Sequence, residues 1–341
     1  MTDKPRIQSL ILEVTQRCNH VCMHCYNVWQ GGGEDYPRGE LDTTRTMNLL
    51  VKALEETSCR HVTFTGGEPL LRSDLPLLLD FLFQRGVQTT IISNGRLLTE
   101  STAADLIGRG VGLFELPLLS HKREIHDQLS GVPGAWDAVL AAMANVRLHH
   151  GSVVAAFVLN RLNVDHLRET MRLAFAFGAR GVMLNRFNVG GRGRLNVEAL
   201  LPSVEQVRDA LAVANAAAEE FHLPVSCSIP IQPCLIDTTA FPRISFGYCS
   251  AGTDNAYYAL DPLGNVRPCN HTDIILGNLF EQSFPDLIAS GKMRDFVSAI
   301  PPFCSACDRR LECQGGCKAA AQVCYGSLTE EEPFLKSRSY L

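Results

Sequence analysis

The segment Cys18–Asn27, with the sequence CNHVCMHCYN, holds three cysteines in a Cys-x3-Cys-x2-Cys pattern directly after a short apolar run. No fourth cysteine lies nearby in the sequence. A closed structural zinc site needs four ligands, so the pattern does not suit one. A [4Fe–4S] cluster is held by cysteine thiolates at its irons, and three cysteines would leave one iron open to another molecule. The segment therefore indicates an iron–sulfur cluster with one open iron.

The length and composition describe a protein that can bury a sizeable core. The chain has 341 residues, of which 46% are hydrophobic, and a formal net charge of −5 with no long run of one sign. A basic patch, which is typical of nucleic-acid binding, is not visible. The N-terminus lacks the layout of a signal peptide, and no apolar stretch is long enough to span a bilayer. We therefore expect a cytoplasmic protein without nucleic-acid or membrane partners.

The cysteines fall into two groups that are far apart in the sequence. Of the 13 cysteines, three lie in the opening segment, Cys59 stands alone, and nine follow residue 226. Disulfides rarely persist in the cytoplasm, so a framework of disulfides is not expected there. Two cysteine groups separated by ordinary α/β sequence indicate metal binding instead. Cys59, just before the second predicted strand, is expected to be a buried small side chain.

Strand-like and helix-like segments alternate six times between residues 9 and 222. This pattern predicts parallel strands joined by right-handed helical crossovers, and six units predict a partial (β/α)6 barrel. Chemistry in such folds collects at the carboxyl ends of strands, where the cysteine loop, the GGEP segment, the SNG segment and Asn160 all lie. The proline-rich stretch at 222–233 marks a boundary. We expect an α/β barrel over residues 1–222 and a small cysteine-rich domain over residues 223–341.

Two motifs together resemble a known family. The three-cysteine loop after the first predicted strand and Gly66-Gly67-Glu68-Pro69 after the second strongly resemble the radical S-adenosylmethionine (SAM) superfamily over roughly residues 8–222. The resemblance implies that Cys18, Cys22 and Cys25 hold a [4Fe–4S] cluster whose open iron is chelated by SAM. It also implies that the reduced cluster cleaves SAM to methionine and a 5′-deoxyadenosyl radical.

The resemblance also implies contacts to SAM. Glycines at 66 and 67 would let the backbone approach the methionine end closely, and Glu68 would pair with the ammonium group. His24 occupies a position where the family usually has an aromatic residue. Arg186 precedes a glycine-rich loop. Its side chain either binds a carboxylate of the substrate or of SAM, or lies in a solvated turn, and both alternatives remain open. The remaining residues predicted to contact SAM are Pro69, Asn94, Ser120 and Asn160.

The C-terminal cysteines resemble the SPASM extension found in many members of this superfamily. The pattern is Cys-x14-Gly-x4-Cys, then Cys-x2-Cys-x5-Cys-x3-Cys, then one more cysteine. The resemblance implies two auxiliary [4Fe–4S] clusters, and thus three clusters in all. By that pattern, auxiliary cluster I is bound by Cys249, Cys269 and Cys317. Auxiliary cluster II is bound by Cys304, Cys307, Cys313 and Cys324.

The fourth ligand of auxiliary cluster I is left open by the pattern. Cys234 is the first choice and Cys227 the second, while an open iron or a substrate ligand remains possible. If Cys227 is not a ligand, it is a candidate hydrogen donor to a substrate radical, which would make the outcome an epimerisation. Oxidation of the radical through auxiliary cluster I is the alternative. Two carboxylates, Glu13 and Glu115, lie inside predicted strands. Each either faces the barrel cavity and serves function there, or stabilises the structure of the barrel interior.

These features predict an enzyme that abstracts a hydrogen atom from a C–H bond, with an electron donor such as flavodoxin or ferredoxin. The first strand begins about ten residues from the start, which leaves no room for a leader-recognition domain. This favours a small natural product of sugar, aminocyclitol or nucleoside type as substrate, with a ribosomally made peptide second. Asn270 follows the second SPASM cysteine where sulfatase maturases have an aspartate base, which disfavours their chemistry. The alternative to an enzyme is a binding protein that is stabilised by zinc and retains a degenerate SAM fold.

Overall fold

The computed structural model describes residues 5–30 and 36–337, which form a single mixed sheet flanked by helices. The sheet has 11 strands in the order β11-β10-β9-β1-β2-β3-β4-β5-β6-β7-β8. The strands are β1 (Ser9–Glu13), β2 (His61–Thr65), β3 (Gln88–Ile92), β4 (Val111–Pro117), β5 (Val153–Leu159), β6 (Gly181–Arg186), β7 (Val225–Cys227), β8 (Ile244–Phe246), β9 (Tyr257–Leu260), β10 (Asn265–Arg267) and β11 (Gly277–Asn278).

Helices cover the outer face of this sheet and form the C-terminal region. The α-helices in the described residues are α1 (Thr43–Glu56), α2 (Leu75–Phe83), α3 (Glu100–Gly108), α4 (Arg123–Ser130), α5 (Ala135–Leu148), α6 (Leu167–Ala176), α7 (Val197–Leu200), α8 (Val204–Glu220), α9 (Phe284–Ile288), α10 (Gly291–Ser298), α11 (Arg310–Cys313), α12 (Lys318–Tyr325) and α13 (Pro333–Lys336). None of these helices is long and apolar enough to cross a membrane.

The strands β1 to β6 are parallel to their neighbours and are joined by helices, so the predicted partial barrel is confirmed. Alternate side chains along each strand face opposite sides of the sheet. On β4, Phe114 and Leu116 are buried in the core that the helices cover, whereas Glu115 and Pro117 line the barrel interior. This alternation decides which strand residues can meet a ligand.

The sheet continues beyond the six predicted strands at both edges. The three-residue strands β7 and β8 extend it in parallel after β6, and β9 pairs in parallel with β1 at the other edge. β10 and β11 then add antiparallel pairs. The boundary predicted after residue 222 therefore separates α8 from β7 without separating two sheets.

A buried ion pair joins the first strand to the C-terminal region. Arg267 on β10 donates to Glu13 at the end of β1, and both side chains are almost completely buried. Burial raises the pKa of Glu13 to about 7 even though Arg267 lowers it. Arg267 Nη1 also donates to the carbonyl oxygen of Thr272 at 2.6 Å. These contacts fix the loop that carries Cys269 against the carboxyl end of β1.

Candidate active site

The GGEP segment is bound to the chain that leads into the cysteine loop. The backbone N–H of Gly67 donates to Thr15 O at 2.8 Å, and that of Glu68 donates to Arg17 O at 2.8 Å. Gly66 has a φ of 132°, and a Cβ on Gly67 would overlap the carbonyl oxygen of Arg17. Both positions therefore need glycine because two backbone segments touch here. The predicted approach of these glycines to the methionine end of SAM remains a prediction.

Two further segments hold the cysteine loop from its other sides. Met23 N donates to Leu129 O near the end of α4 at 2.9 Å. In the 3₁₀ helix Gly191–Asn196, Gly193 N donates to Cys25 O at 3.0 Å. The Asn196 side chain donates to Met23 O at 3.0 Å. The loop is thus fixed by neighbours from three parts of the barrel, which keeps its thiols in place.

The three thiols of the loop lie close enough to affect one another electrostatically. Burial raises the pKa of Cys22, and the charges of Cys25 and Cys18 raise it further. Burial likewise raises the pKa of Cys25 to about 11. At neutral pH, thiols with such raised pKa values stay protonated until a metal binds them and releases the protons. Three converging thiols fit a cluster bound through three of its irons.

No group of three His, Cys, Asp or Glu side chains in the described ranges is arranged around a single metal ion. One zinc ion at ~2.3 Å from each thiolate would bring its sulfurs close together. A [4Fe–4S] cluster instead binds each thiolate at a different iron.

Glu68 joins the carboxyl ends of two strands. Its Oε1 accepts hydrogen bonds from Leu70 N at 3.0 Å and Ser93 Oγ at 2.8 Å, and its Oε2 accepts one from Asn94 N at 2.8 Å. The side chain is fully buried, which raises its pKa to about 7 despite these hydrogen bonds. The carboxylate already has three donors in the protein. Its predicted pairing with the SAM ammonium stays a prediction.

The other polar residues predicted to contact SAM divide into two sets. Asn94 lines the cavity beside the cysteine loop, which is called the main cavity below, and its Nδ2 donates to Asn19 Oδ1 at 2.7 Å. Ser120 and Asn160 do not line it. Ser120 Oγ lies 2.9 Å from His166 Nδ1, and Asn160 bonds to neighbouring backbone groups. Pro69 is also outside the cavity lining, because it begins the 3₁₀ turn Pro69–Leu71.

Arg186 lies at the edge of the cavity but is committed to an ion pair. Its Nη2 donates to both carboxylate oxygens of Glu332 at 2.7 and 2.8 Å, and its Nε donates to Pro230 O at 2.9 Å. Both charged side chains are 1% exposed. Glu332 also accepts from Cys317 N at 2.9 Å. The structure therefore does not support Arg186 as a ligand of the SAM carboxylate. The ion pair of Arg186 with Glu332 instead connects β6 to the C-terminal cysteines.

The main cavity opens beside the cysteine loop at the carboxyl ends of the strands. Two buried atoms in its wall, His24 Nδ1 and Asn188 Oδ1, have no hydrogen-bond partner among the described residues. Burial lowers the pKa of His24 to about 4, so its ring is neutral. Unpaired buried polar atoms fit a polar ligand such as SAM. The residues that line the cavity include Cys22, Cys25, Gly66, Gly67, Glu115 and His271.

Glu115 is a carboxylate in this lining that the described residues leave without a hydrogen bond. It projects from β4 into the barrel interior, and burial alone raises its pKa to about 7. Glu13 differs because it is paired with Arg267. The sequence left the roles of both carboxylates open, and the structure separates them. Glu13 pairs with Arg267 inside the fold, whereas Glu115 faces the main cavity.

We expect Glu115→Gln to change the pH dependence of stability. A pKa raised from 4.5 to about 7 on folding contributes stability below pH 4.5, and this stability is lost as the pH rises through 7. Between pH 6 and 8.5, the cluster-loaded, SAM-free wild type should lose about 1 kcal/mol that the variant does not lose. Thermal unfolding at both pH values measures this difference. Glu55→Gln, at an exposed position on α1, is the control. Equal pH dependence in wild type and Glu115→Gln would contradict the expectation.

The structure brings together the three cysteines predicted for auxiliary cluster I. Cys249, Cys269 and Cys317 each act electrostatically on Tyr257, and together with burial they raise its pKa. Asn188 Nδ2 donates to Cys317 Sγ at 3.2 Å and lies 3.3 Å from His271 Nδ1. Since Asn188 and His271 both line the main cavity, this cysteine group borders it.

Cys234 lies elsewhere than the sequence pattern indicated. It lines a second cavity with Cys304, Cys307 and Cys313, and its charge contributes to the raised pKa of Cys313. It was expected beside the first group, so this placement corrects that expectation. Cys324, which was expected in the second group, does not line this cavity.

Cys227 is not placed to donate a hydrogen atom into the main cavity. It is 4% exposed in the hydrophobic core, and burial raises the pKa of its thiol to about 12. The preceding residue, Ser226, contacts Met183, which lines the cavity. Because side chains alternate along a strand, Cys227 faces the opposite side. The structure therefore does not support Cys227 as a hydrogen donor.

Three residues of the site were not found from the sequence. The rings of Tyr26 and His271 lie 4.4 Å apart in the wall between the main cavity and the first auxiliary cysteines. The sequence did hold a clue to Tyr26 and His271, which is their closeness to predicted cluster ligands. Tyr26 directly follows Cys25, and His271 lies two residues after Cys269. Asn188 carried no signal in the sequence.

Family models match two parts of the chain. The model of the radical SAM superfamily matches residues 12–174, and the SPASM model, described as an iron–sulfur cluster-binding domain, matches residues 249–309. The first includes the cysteine loop and the GGEP segment, and the second includes the first two auxiliary cysteines and the pair at 304 and 307. Each matched range therefore contains a cysteine group that the structure places beside a cavity.

Relatives match over almost the whole chain. PqqA peptide cyclase of Granulibacter bethesdensis is 27% identical over 95% of this chain and 86% of that enzyme. AdoMet-dependent heme synthase of Methanosarcina barkeri is 25% identical over 98% of this chain and 97% of that enzyme. Among solved structures, Streptococcus suis SuiB bound to its precursor peptide SuiA has a TM-score of 0.75 at 16% identity, covering 97% of this chain and 76% of that chain.

The protein anSMEcpe with bound AdoMet has a TM-score of 0.72 at 17% identity, covering 97% of this chain and 95% of that chain. These structures share the fold of this chain. The two family matches fall on those same parts of the structure. The chain belongs to the radical SAM superfamily, as an iron–sulfur, SAM-dependent enzyme with a C-terminal SPASM domain.

Proposed function

We propose that this enzyme abstracts a hydrogen atom from a ribosomally made peptide and so modifies it. The observation that carries the proposal is the similarity to PqqA peptide cyclases, three of which match at 25% to 27% identity over at least 95% of this chain. SuiB shares the fold and binds a precursor peptide, so the fold is compatible with such a substrate. The sequence pattern ranked a small natural product first, and the relatives support the reverse order.

The residues of the main cavity fit this task. Its apolar wall, which includes Phe157, Val158 and Met183, can hold a side chain of the substrate away from water. Glu115 provides a carboxylate that can accept or donate a proton near neutral pH, because burial raises its pKa to about 7. When bound, the cluster and SAM supply the 5′-deoxyadenosyl radical that starts the reaction.

The first auxiliary cysteine group borders the same cavity, through Asn188 and His271. A cluster held there would lie where it can take an electron from a substrate radical. Because Cys227 faces away from the cavity, oxidation or cross-linking fits the site better than epimerisation by that thiol. Two auxiliary clusters and reduction by flavodoxin or ferredoxin complete the proposal.

The experiment first searches the DNA beside this gene for a short reading frame that encodes a precursor peptide, and then synthesises that peptide with uniformly deuterated residues. The anaerobically loaded enzyme is incubated with SAM, a reductant and this peptide. We expect deuterium in the 5′-deoxyadenosine and a product that has lost two hydrogen atoms. Deuterium-free 5′-deoxyadenosine and an unchanged peptide would contradict the proposal.

A tetrapyrrole is the second candidate substrate, because the heme synthase relative matches nearly the full length of both proteins. The same assay distinguishes the two. A tetrapyrrole with propionate side chains replaces the peptide, and the release of 5′-deoxyadenosine is compared. Stimulation by the tetrapyrrole and not by the peptide would favour this second candidate.

A further inference from the structure

The second cavity lies between the segment after β7 and the C-terminal cysteines. Its wall includes Cys234, Cys304, Cys307 and Cys313. Three of these are the cysteines that the SPASM pattern assigns to auxiliary cluster II, and Cys234 comes from a segment 70 residues earlier in the chain than Cys304. Four thiols around one cavity are the donor set of a [4Fe–4S] cluster in which the protein binds every iron.

The arrangement around this cavity is specific. Cys234 and Cys304 are the cysteines whose charges act on Cys313. Gly315 has a φ of 77°, and a Cβ there would lie 3.8 Å from Cys304 Sγ and collide with Pro301. The turn after Cys313 therefore passes close to Cys304 without a side chain of its own. The C-terminal side of the wall is formed by Leu335 of α13, whose side chain has no atom that binds iron.

Cys324 is held in a different place. Cys317 directly precedes α12, and Cys324 lies within that helix seven residues later. Cys324 is therefore two helical turns, or about 10 Å, further along the same helix face. It packs against the cluster of apolar side chains that includes Leu119 and Ala320. It does not line the cavity that Cys234, Cys304, Cys307 and Cys313 share.

We propose that Cys234 is the fourth ligand of auxiliary cluster II and that Cys324 binds none of the clusters. Binding converts the Cys234 thiol to a thiolate and releases its proton. The segment after β7, which belongs to the barrel sheet, is thereby tied to the C-terminal domain through the cluster. Cys249, Cys269 and Cys317 remain as the cysteines of auxiliary cluster I.

Iron and sulfide content and electron paramagnetic resonance (EPR) spectra of the full-length, anaerobically loaded protein test this proposal. We expect Cys234→Ala to retain about two thirds of the wild-type iron, or to show a [3Fe–4S] signal before reduction. Cys324→Ala should match the wild type in both measurements. Full retention of iron without a new signal in Cys234→Ala would overturn the proposal, and so would any loss of cluster iron in Cys324→Ala.

Two controls keep the test decisive. Cys59→Ala removes a cysteine that lies away from both cavities, and should retain all iron. If Cys234→Ala is insoluble, Cys234→Ser is used, because its hydroxyl oxygen can still bind iron. We expect Cys234→Ser to keep its iron and to change the EPR spectrum of one reduced cluster, and an unchanged spectrum would overturn the proposal. The test needs no substrate, so its failure is distinct from failure of the peptide proposal.

Discussion

Replacement of Cys18, Cys22 and Cys25 together by alanine is expected to abolish the release of 5′-deoxyadenosine from SAM. These thiols converge in one loop beside the main cavity, where Cys22 and Cys25 form part of the wall. The auxiliary cysteines lie in other groups, so their clusters should remain. Product release should fall at least ~1,000-fold, to the background without enzyme, because the radical reaction has no other source of electrons at SAM.

The measurement is the amount of 5′-deoxyadenosine formed per enzyme under anaerobic reduction, with iron analysis of the same sample. Cys59→Ala is the matched control, since Cys59 is buried and donates to His61 O at 3.2 Å, away from the loop. Release at the wild-type rate by the triple variant would show that the SAM-cleaving site has been placed wrongly. So would loss of activity in Cys59→Ala with full iron content.

The substitution Gly67→Ala is expected to prevent SAM cleavage by displacing the cysteine loop. A Cβ at this position would overlap the backbone carbonyl of Arg17, and backbone cannot move aside as a flexible side chain can. The hydrogen bonds from Gly67 to Thr15 and from Glu68 to Arg17 would be broken or distorted. We expect SAM affinity to fall at least ~10-fold and the rate of cleavage ~100-fold or more, since small misplacements of reacting groups have such effects.

Equilibrium binding of SAM and the rate of its reductive cleavage measure this effect. Gly108→Ala is the control, because Gly108 ends α3 and a Cβ there would meet no atom within 4 Å. That variant should be as active as the wild type and at least as stable. Wild-type affinity and rate in Gly67→Ala would mean that the contact between the two backbone segments is not needed.

The local features of the fold could be predicted from the sequence. The alternation of strands and helices correctly gave β1 to β6, because each strand carries enough apolar residues to reveal its pattern. β7 and β8 have only three residues each, which is too short for a pattern. The parallel pairing of β9 with β1 joins residues about 250 positions apart, and nothing in the local sequence encodes such a partner.

The site was predictable where residue type alone fixes the chemistry. Cysteine groups and glycines at backbone contacts belong to this class. Ser120 and Asn160 do not line the main cavity, because short polar side chains at strand ends also form hydrogen bonds with nearby backbone and side chains, as these two do. The spacing placed Cys324 in the second auxiliary group and Cys234 in the first, but it could not show that the tertiary fold brings Cys234 to the cavity lined by Cys304 and Cys313.

The EPR spectrum of the reduced, anaerobically loaded protein, recorded with and without SAM, tests whether SAM binds the open iron of one cluster held by Cys18, Cys22 and Cys25. We predict that SAM changes the signal of one cluster, and that the change is lost when these three cysteines are replaced. A spectrum that SAM leaves unaltered, or protein with stoichiometric zinc and little iron, would contradict this prediction.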